Sequence, residues 1–291
     1  DVANADAVAG AAAQLVPILT GQATLATKQS ITAFSTVIDG RLQGSQQGTL
    51  SLFNQPARAS TTGSAVVFQP LMMAAIPLKP AEPPQHDAGH LWLKPFGGYA
   101  NNSRRNGVPG FEADTFGIAL GGDMQINDRL MLGVGLAWSD TEIEGKTLTR
   151  NDLDVEGFKA VLYGNYALSV TDFIEGYALV GLNDNETRRD MTIGALNSVA
   201  RGDYESVFTQ IYTGMGSRYH ISDAFAFTPV LSARYTYIDD EGYNERGAGV
   251  LNLTVNSNTE DSFIVGMDGT GTYTFGRGGH YALSLAGGLG Y

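Results

Sequence analysis

The 291-residue chain contains no cysteine, which rules out a disulfide framework and any thiolate metal site. Positive charge is scarce: 18 Lys and Arg stand against 30 Asp and Glu, for a net charge of −12. A nucleic-acid binder needs a basic face, so nucleic acid is excluded as a partner. Histidine occurs four times, at His86, His90, His220 and His280, and never as H-E-x-x-H. No G-x-S-x-G nucleophile elbow is present. The stretch NDLDVEG, from Asn151, opens like a calcium loop, but its twelfth position counted from Asp152 is Tyr163 instead of Glu. GTGTYTFGRGG has glycines but not the Lys and helix of a phosphate loop. No metal and no cofactor is expected. No run of eighteen apolar residues exists, so no transmembrane helix is available. A membrane barrel escapes that test, because half of its residues face away from lipid. No basic leader precedes Asp1, so the chain is expected to start after processing or inside a longer precursor.

Glycine and aromatics are plentiful: 37 Gly, 13 Tyr and 13 Phe. Residues 1–43 read as a helical linker. ANADAVAGAAAQLV is alanine-rich, Pro17 interrupts it, and a second helix is expected from Thr20 to Gln43. Its larger apolar residues, Leu25, Ile31, Phe34, Ile38 and Leu42, are separated by Gln, Thr, Ser and Lys. Such a helix suits a narrow polar channel, or else the flank of an ordinary domain. Residues 44–88 are a Gly/Ser/Pro-rich connection.

Residues 89–291 alternate with the period of a strand in nine segments. In RLMLGVGLAWSD, Leu130, Leu132, Val134, Leu136 and Trp138 share one face, and the other carries Met131, Gly133, Gly135, Ala137 and Ser139. Phe158 and Leu162, and Phe225 and Leu231, repeat the bulky face in later segments. A soluble sandwich or a lipocalin-like cup would bury its bulk and show Lys, Glu and Asp to water. Here the second face is Gly, Ala, Ser and Thr with single charges, as expected of a barrel with bulk toward lipid and small residues toward a lumen. Tyr99, Trp138, Tyr166, Tyr219, Tyr237 and Tyr273 lie near segment ends, where an interfacial girdle belongs. The joins alternate strictly: long ones such as NETRRDMTIGALNSVARGD, short ones such as SVT and ISD. Outer-membrane barrels show this asymmetry. The expected lipid-facing residues are Leu130, Leu132, Val134, Leu136, Trp138, Phe158, Leu162, Phe225 and Leu231. The expected lumen-facing residues are Lys94, Gly117, Asp123, Gly133, Gly135, Lys159, Glu175, Ser232 and Arg234. Lys94, Lys159 and Arg234 are expected to pair with Asp123, Glu175 or helix carbonyls. Gly117, Gly133, Gly135 and Gly288 are expected to make room for the helix.

HLWLKPFGGYA, then GFEADTFGIALGGDMQINDRLMLGVGLAWSDTEIEG, then VEGFKAVLYGNYAL and FTPVLSARYTYIDDEGYNERGAG, resemble the autotransporter β-domain, the translocator of type V secretion, from about Trp92 to Tyr291. The resemblance implies an all-β fold: a transmembrane antiparallel up-and-down β-barrel of the twelve-stranded type, with an N-terminal helix in its lumen. It implies a location in the outer membrane of a Gram-negative bacterium. The implied function is to anchor and export an N-terminal passenger and then be plugged by the helix. The implied partners are outer-membrane lipid and lipopolysaccharide, the passenger, the assembly machinery and periplasmic chaperones. Nine strands are legible against twelve, so the last strands are expected beyond Tyr291. No enzyme activity is implied, except that some family members cut themselves after a luminal Asn. Asn4 would be that residue, with Asp123 or Glu175 as its acid. The simpler reading of Asn4 is a polar residue at a helix start. A passenger-independent porin or adhesin barrel is the rival function. A soluble β-sandwich hydrolase or lectin is the other.

Overall fold

The computed structural model describes residues 20–46, 65–66, 89–103, 110–146, 149–275 and 281–290. The remainder, including Asn4 and the alanine-rich stretch, lies outside the described residues. One helix, α1 (Thr20–Gln46), is followed by nine long strands: β1 (His90–Asn102), β2 (Phe111–Asn127), β3 (Leu130–Gly145), β4 (Asn151–Ala167), β5 (Asp172–Ile193), β6 (Leu196–Ser217), β7 (Phe225–Asp240), β8 (Asn258–Phe275) and β9 (Tyr281–Gly290). Each long strand pairs antiparallel with the next in chain order, giving an up-and-down meander. The sheet curls into a half-barrel. Among the described residues β1 and β9 do not pair. The outer edge of β1 takes only Ala65–Val66, opposite Ala100 and Tyr99. Pro95, which has no N–H to donate, sits on this edge strand, where proline is tolerated.

The short turns are built by side chains that replace backbone partners. Asn127 Oδ1 accepts from the amides of Arg129 and Leu130 at 2.9 and 3.0 Å. Ser169 Oγ accepts from Thr171 and Asp172 at 3.1 and 2.9 Å, and Ser222 Oγ from Ala224 and Phe225 at 3.3 and 3.1 Å. Asn and Ser do this because their oxygens reach an amide two residues on.

At the opposite end the expected long loops are largely strand. NETRRDMTIGALNSVARGD continues the β5–β6 ladder to a turn at Gly194–Ala195, with Gly194 at φ +62°. The alternation persists through charged residues there, so a polar composition read as loop was ladder. Connection 241–257 is also folded: Tyr243–Asn244 pairs with Thr254–Val255, around a short 3-10 turn at Gly249–Leu251.

The outward face divides sharply. Along β3 it runs Leu132, Val134, Leu136, Trp138 and then Asp140, Glu142, Glu144. Neighbouring strands change at the same level: Trp138 lies opposite Phe158, which lies opposite Leu182; Asp140 opposite Glu156, then Asp184, then Glu205. An apolar belt is thus bounded by an acidic collar toward the long-connection end. From Leu130 to Trp138 the belt extends about 27 Å along the strand.

The inward face holds the core. Phe34, Ile38 and Leu42 of α1 pack with Trp92, Phe96, Met131, Tyr163, Leu179 and Phe208 of the strands. Five inward aromatics lie directly opposite a glycine of the next strand: Trp92–Gly121, Phe96–Gly117, Tyr163–Gly133, Phe173–Gly216 and Phe208–Gly181. A Cβ at Gly117, Gly133 or Gly181 would stand 2.2–2.3 Å from the facing ring. This corrects the expectation for Gly117 and Gly133. They admit a ring from the adjacent strand, and that layer of rings receives the helix. A Cβ at Gly135 would meet Trp92 and Val161 at 3.1–3.2 Å, in the same sense. The surroundings of Gly288 lie outside the described residues.

Candidate functional site

The candidate site is the bore and the helix that fills it. From Gln29 to Gly44 every residue of α1 is buried except Thr32, which is half-buried. A helix on the flank of a domain would keep one face wet, so that reading is overturned. Twenty-seven residues give a rod about 40 Å long.

Contacts reach strands around the sheet. Phe34 meets Phe96 on β1, with ring centroids 5.9 Å apart. Gln29 donates to the Ala113 carbonyl on β2 at 3.4 Å, and Ser30 shares a 3.0 Å hydrogen bond with Ser139 on β3. Asn183 on β5 donates to Thr27 at 3.2 Å. Thr24 donates to Asp240 on β7 at 3.1 Å, and Lys28 is ion-paired with Glu260 on β8. Ala113 is near the long-connection end of β2 and Asp123 near its short-turn end. The N-terminus of α1 therefore points to the long connections.

Three charged helix residues find counter-ions on the strands. Besides Lys28, Asp39 receives Arg234 Nη2 at 3.2 Å. Arg41, 1% exposed, donates through Nε and Nη2 to Asp123 Oδ2 at 3.1 and 2.6 Å. Tyr163 Oη also donates to that oxygen at 2.7 Å and accepts from Trp92 Nε1 at 2.7 Å. The Arg41 guanidinium stands 5.9 Å from the Trp92 ring centre. A charge removed from water costs several kcal/mol unless paired and fully hydrogen-bonded, and these partners supply the pairing.

The sequence-predicted residues divide as follows. Lys94, Gly117, Asp123, Gly133, Gly135, Lys159 and Glu175 are buried on the inward face, and Ser232 and Arg234 are half-buried there. Leu132, Val134, Leu136, Phe158, Leu162 and Leu231 are exposed on the outward face, while Leu130, Trp138 and Phe225 are half-buried. The predicted ion pairs of Asp123 and Arg234 are corrected. Lys159 donates to Ser139 at 2.5 Å, and Glu175 accepts from Tyr212 at 2.9 Å. Asp123 and Arg234 take oppositely charged partners, Arg41 and Asp39, from the helix. Sequence reasoning missed Arg41 and Asp39, although two opposite charges in a helix assigned to a bore were the available signal. Among the described residues no group of three or more His, Asp and Glu is arranged to hold a metal ion.

The family model described as the autotransporter beta-domain matches residues 91–291. Outer membrane protein B of Rickettsia conorii is 30% identical over 237 residues, covering 79% of this chain and 14% of that protein. Outer membrane protein A of the same organism is 34% identical over 188 residues, covering 60% of the chain and 9% of that protein. The chain thus spans about a seventh or less of these relatives. The translocator domain of the autotransporter NalP from Neisseria meningitidis superposes with a TM-score of 0.54 at 11% identity, covering 69% of this chain and 74% of that one, and shows the same fold. Barrel architecture, helix in the bore and family match together set aside the soluble sandwich and disfavour the free-standing porin or adhesin. The family implies a passenger domain and an outer-membrane context, and such translocator domains are not enzymes. The chain belongs to the autotransporter beta-domain family and is a Gram-negative outer-membrane translocator domain.

Proposed function

We propose that this domain exports an N-terminal passenger, anchors it at the cell surface, and is closed afterwards by α1. The observation that carries this is the helix itself: buried from Gln29 to Gly44 but for half-buried Thr32, with Lys28, Asp39 and Arg41 each matched to an opposite charge on a strand. The apolar belt, with Leu132, Val134, Leu136, Phe158, Leu162 and Leu231 outward, is the lipid contact. The collar meets the lipopolysaccharide headgroup zone. Assembly machinery and periplasmic chaperones carry the chain to the membrane, since so much outward bulk would aggregate in water.

Planar-bilayer recording tests the plug. The complete translocator domain of the full-length precursor should conduct little with the helix in place. Removal of residues 1–46 should open a stable channel of at least several-fold higher conductance. A large, steady current with the helix present would instead support a porin. Self-cleavage at Asn4, with Asp123 or Glu175 as its acid, is a separate proposal, since Asn4 lies outside the described residues. Asn4→Ala in the precursor tests it directly, and unchanged passenger release on a gel removes the assignment.

A further inference from the structure

Connection 241–257 is a folded strap, docked on the inward face of the β5–β6 extension, beyond the apolar belt. Its hold is specific. Glu245 is ion-paired with Arg189, their side chains 4% and 5% exposed. Arg189 also donates to the Leu251 carbonyl at 3.1 Å, and Glu245 accepts from the Leu253 amide at 2.9 Å. The Tyr243 ring stacks on Tyr204 at 4.9 Å and 7°, covering Gly202, where a Cβ would lie 2.4 Å from it. Arg201 and Arg246 exchange backbone hydrogen bonds of 2.8 and 2.7 Å, adding one rung of ladder. Gly247, at φ +97°, makes the bend after that rung.

Both roots of the strap touch the helix. Asp240, the last residue of β7, takes Thr24 on one carboxylate oxygen at 3.1 Å and Ser206 on the other at 2.6 Å. Glu260, near the start of β8, holds Lys28. Gly242 backs so closely on Val255 and Ser257 that a Cβ there would meet them at 2.8–2.9 Å, so the two roots move together. The first turns of α1 and the base of the strap therefore share one set of contacts.

We propose that the strap is a latch on the external mouth, coupled to the plug: a seated helix holds the strap down, and an empty or transporting bore releases it. The Arg189–Glu245 pair holds the strap, and Thr24 and Lys28 transmit occupancy of the bore. This deepens the translocator reading and rests on it for its purpose, while the coupling itself is a property of the folded chain.

The test is amide hydrogen exchange on the full chain in lipid. Tyr243–Val255 should be protected, and Glu245→Gln should raise its exchange at least tenfold. Thr24→Val with Lys28→Gln, remote from the Arg189–Glu245 pair, should raise it on the order of fivefold or more. By linkage, Glu245→Gln should loosen the first turns of α1 by a similar factor. Strap exchange unmoved by the helix variants would overturn the coupling, and an unprotected strap would overturn the docking. Should the helix variants fail to fold, Arg201→Cys with Arg246→Cys replaces them. The two positions are a directly bonded strand pair within disulfide reach, in a chain with no other cysteine. Oxidation should slow exchange in the first turns of α1 relative to the reduced protein; equal rates would overturn the coupling. Passenger export is measured separately, so a barrel that couples but does not export sinks the translocator reading alone.

Discussion

Glycine on the inward face of this sheet yields its space to the side chain that stands opposite. At Gly133 the Tyr163 ring occupies the space of a side chain, and that ring also carries the hydroxyl that bonds Asp123. Gly133→Val would push the ring away, and overpacking of this kind costs about 1–3 kcal/mol. The lost Tyr163–Asp123 bond adds to that. A lowered urea midpoint for the folded barrel, partly restored by Tyr163→Ala, is the expected result. At neighbouring positions the two faces separate two kinds of damage. Val134 is 60% exposed in the belt, and an arginine there should cost roughly 2–4 kcal/mol of insertion free energy near the bilayer midplane. Gly135→Arg would leave the lipid face untouched and drive a charge into Trp92 and Val161. The first should reduce membrane insertion. The second should leave inserted protein with a displaced helix and a raised conductance. Equal loss of insertion from both would contradict the assigned faces.

The helix was legible as an element; its partners were not. A run of Gln, Thr, Ser and Lys between spaced Ile, Phe and Leu marks a helix at home in a polar bore. Nothing local links Arg41 to Asp123, 82 residues away. Asp123→Asn leaves the Arg41 charge buried without its partner, a loss of about 3–5 kcal/mol in comparable buried pairs. Replacing both partners, as Arg41→Met with Asp123→Leu, should cost much less, because no charge is then stranded. Thermal unplugging followed by conductance would show both. The strands of the long-connection end teach a related lesson. Glu186, Arg188 and Asp190 alternate with Thr187, Arg189 and Met191, and composition alone reads that as loop. Period-two spacing continues through it, with Arg189 and Met191 inward against a folded strap.

At the level of the molecule the acidic collar sets a stability penalty. Asp114, Glu142, Asp154 and Glu186 lie opposite one another across four successive strands. Like charges directly opposed are destabilising. Burial, then Glu142 and Asp152, raise the pKa of Asp154, which lies beyond the belt. A carboxyl whose folded pKa exceeds its unfolded value near 3.9 favours the folded state only as it takes up a proton. The contribution of Asp154 is therefore least favourable at neutral pH and improves as pH falls through its folded pKa toward the unfolded one. Asp154→Asn should raise the urea midpoint at pH 7, with the gain shrinking at lower pH and at higher ionic strength. A midpoint unchanged at pH 7 in low salt would show that the collar carries no such penalty.

Strand identity and facing were readable from the amino acids, because a period of two records which side of a sheet is bulky and exposed; the order of the joins was readable too, although the long ones are largely strand. The short turns were readable for a similar reason, since Asn127, Ser169 and Ser222 act within three residues of themselves. Folding in three dimensions settled the rest: rings opposite glycines, Arg41 on Asp123, and a strap rooted on the helix. Each of these depends on register between distant segments, and register comes from packing across the sheet, which no local pattern encodes.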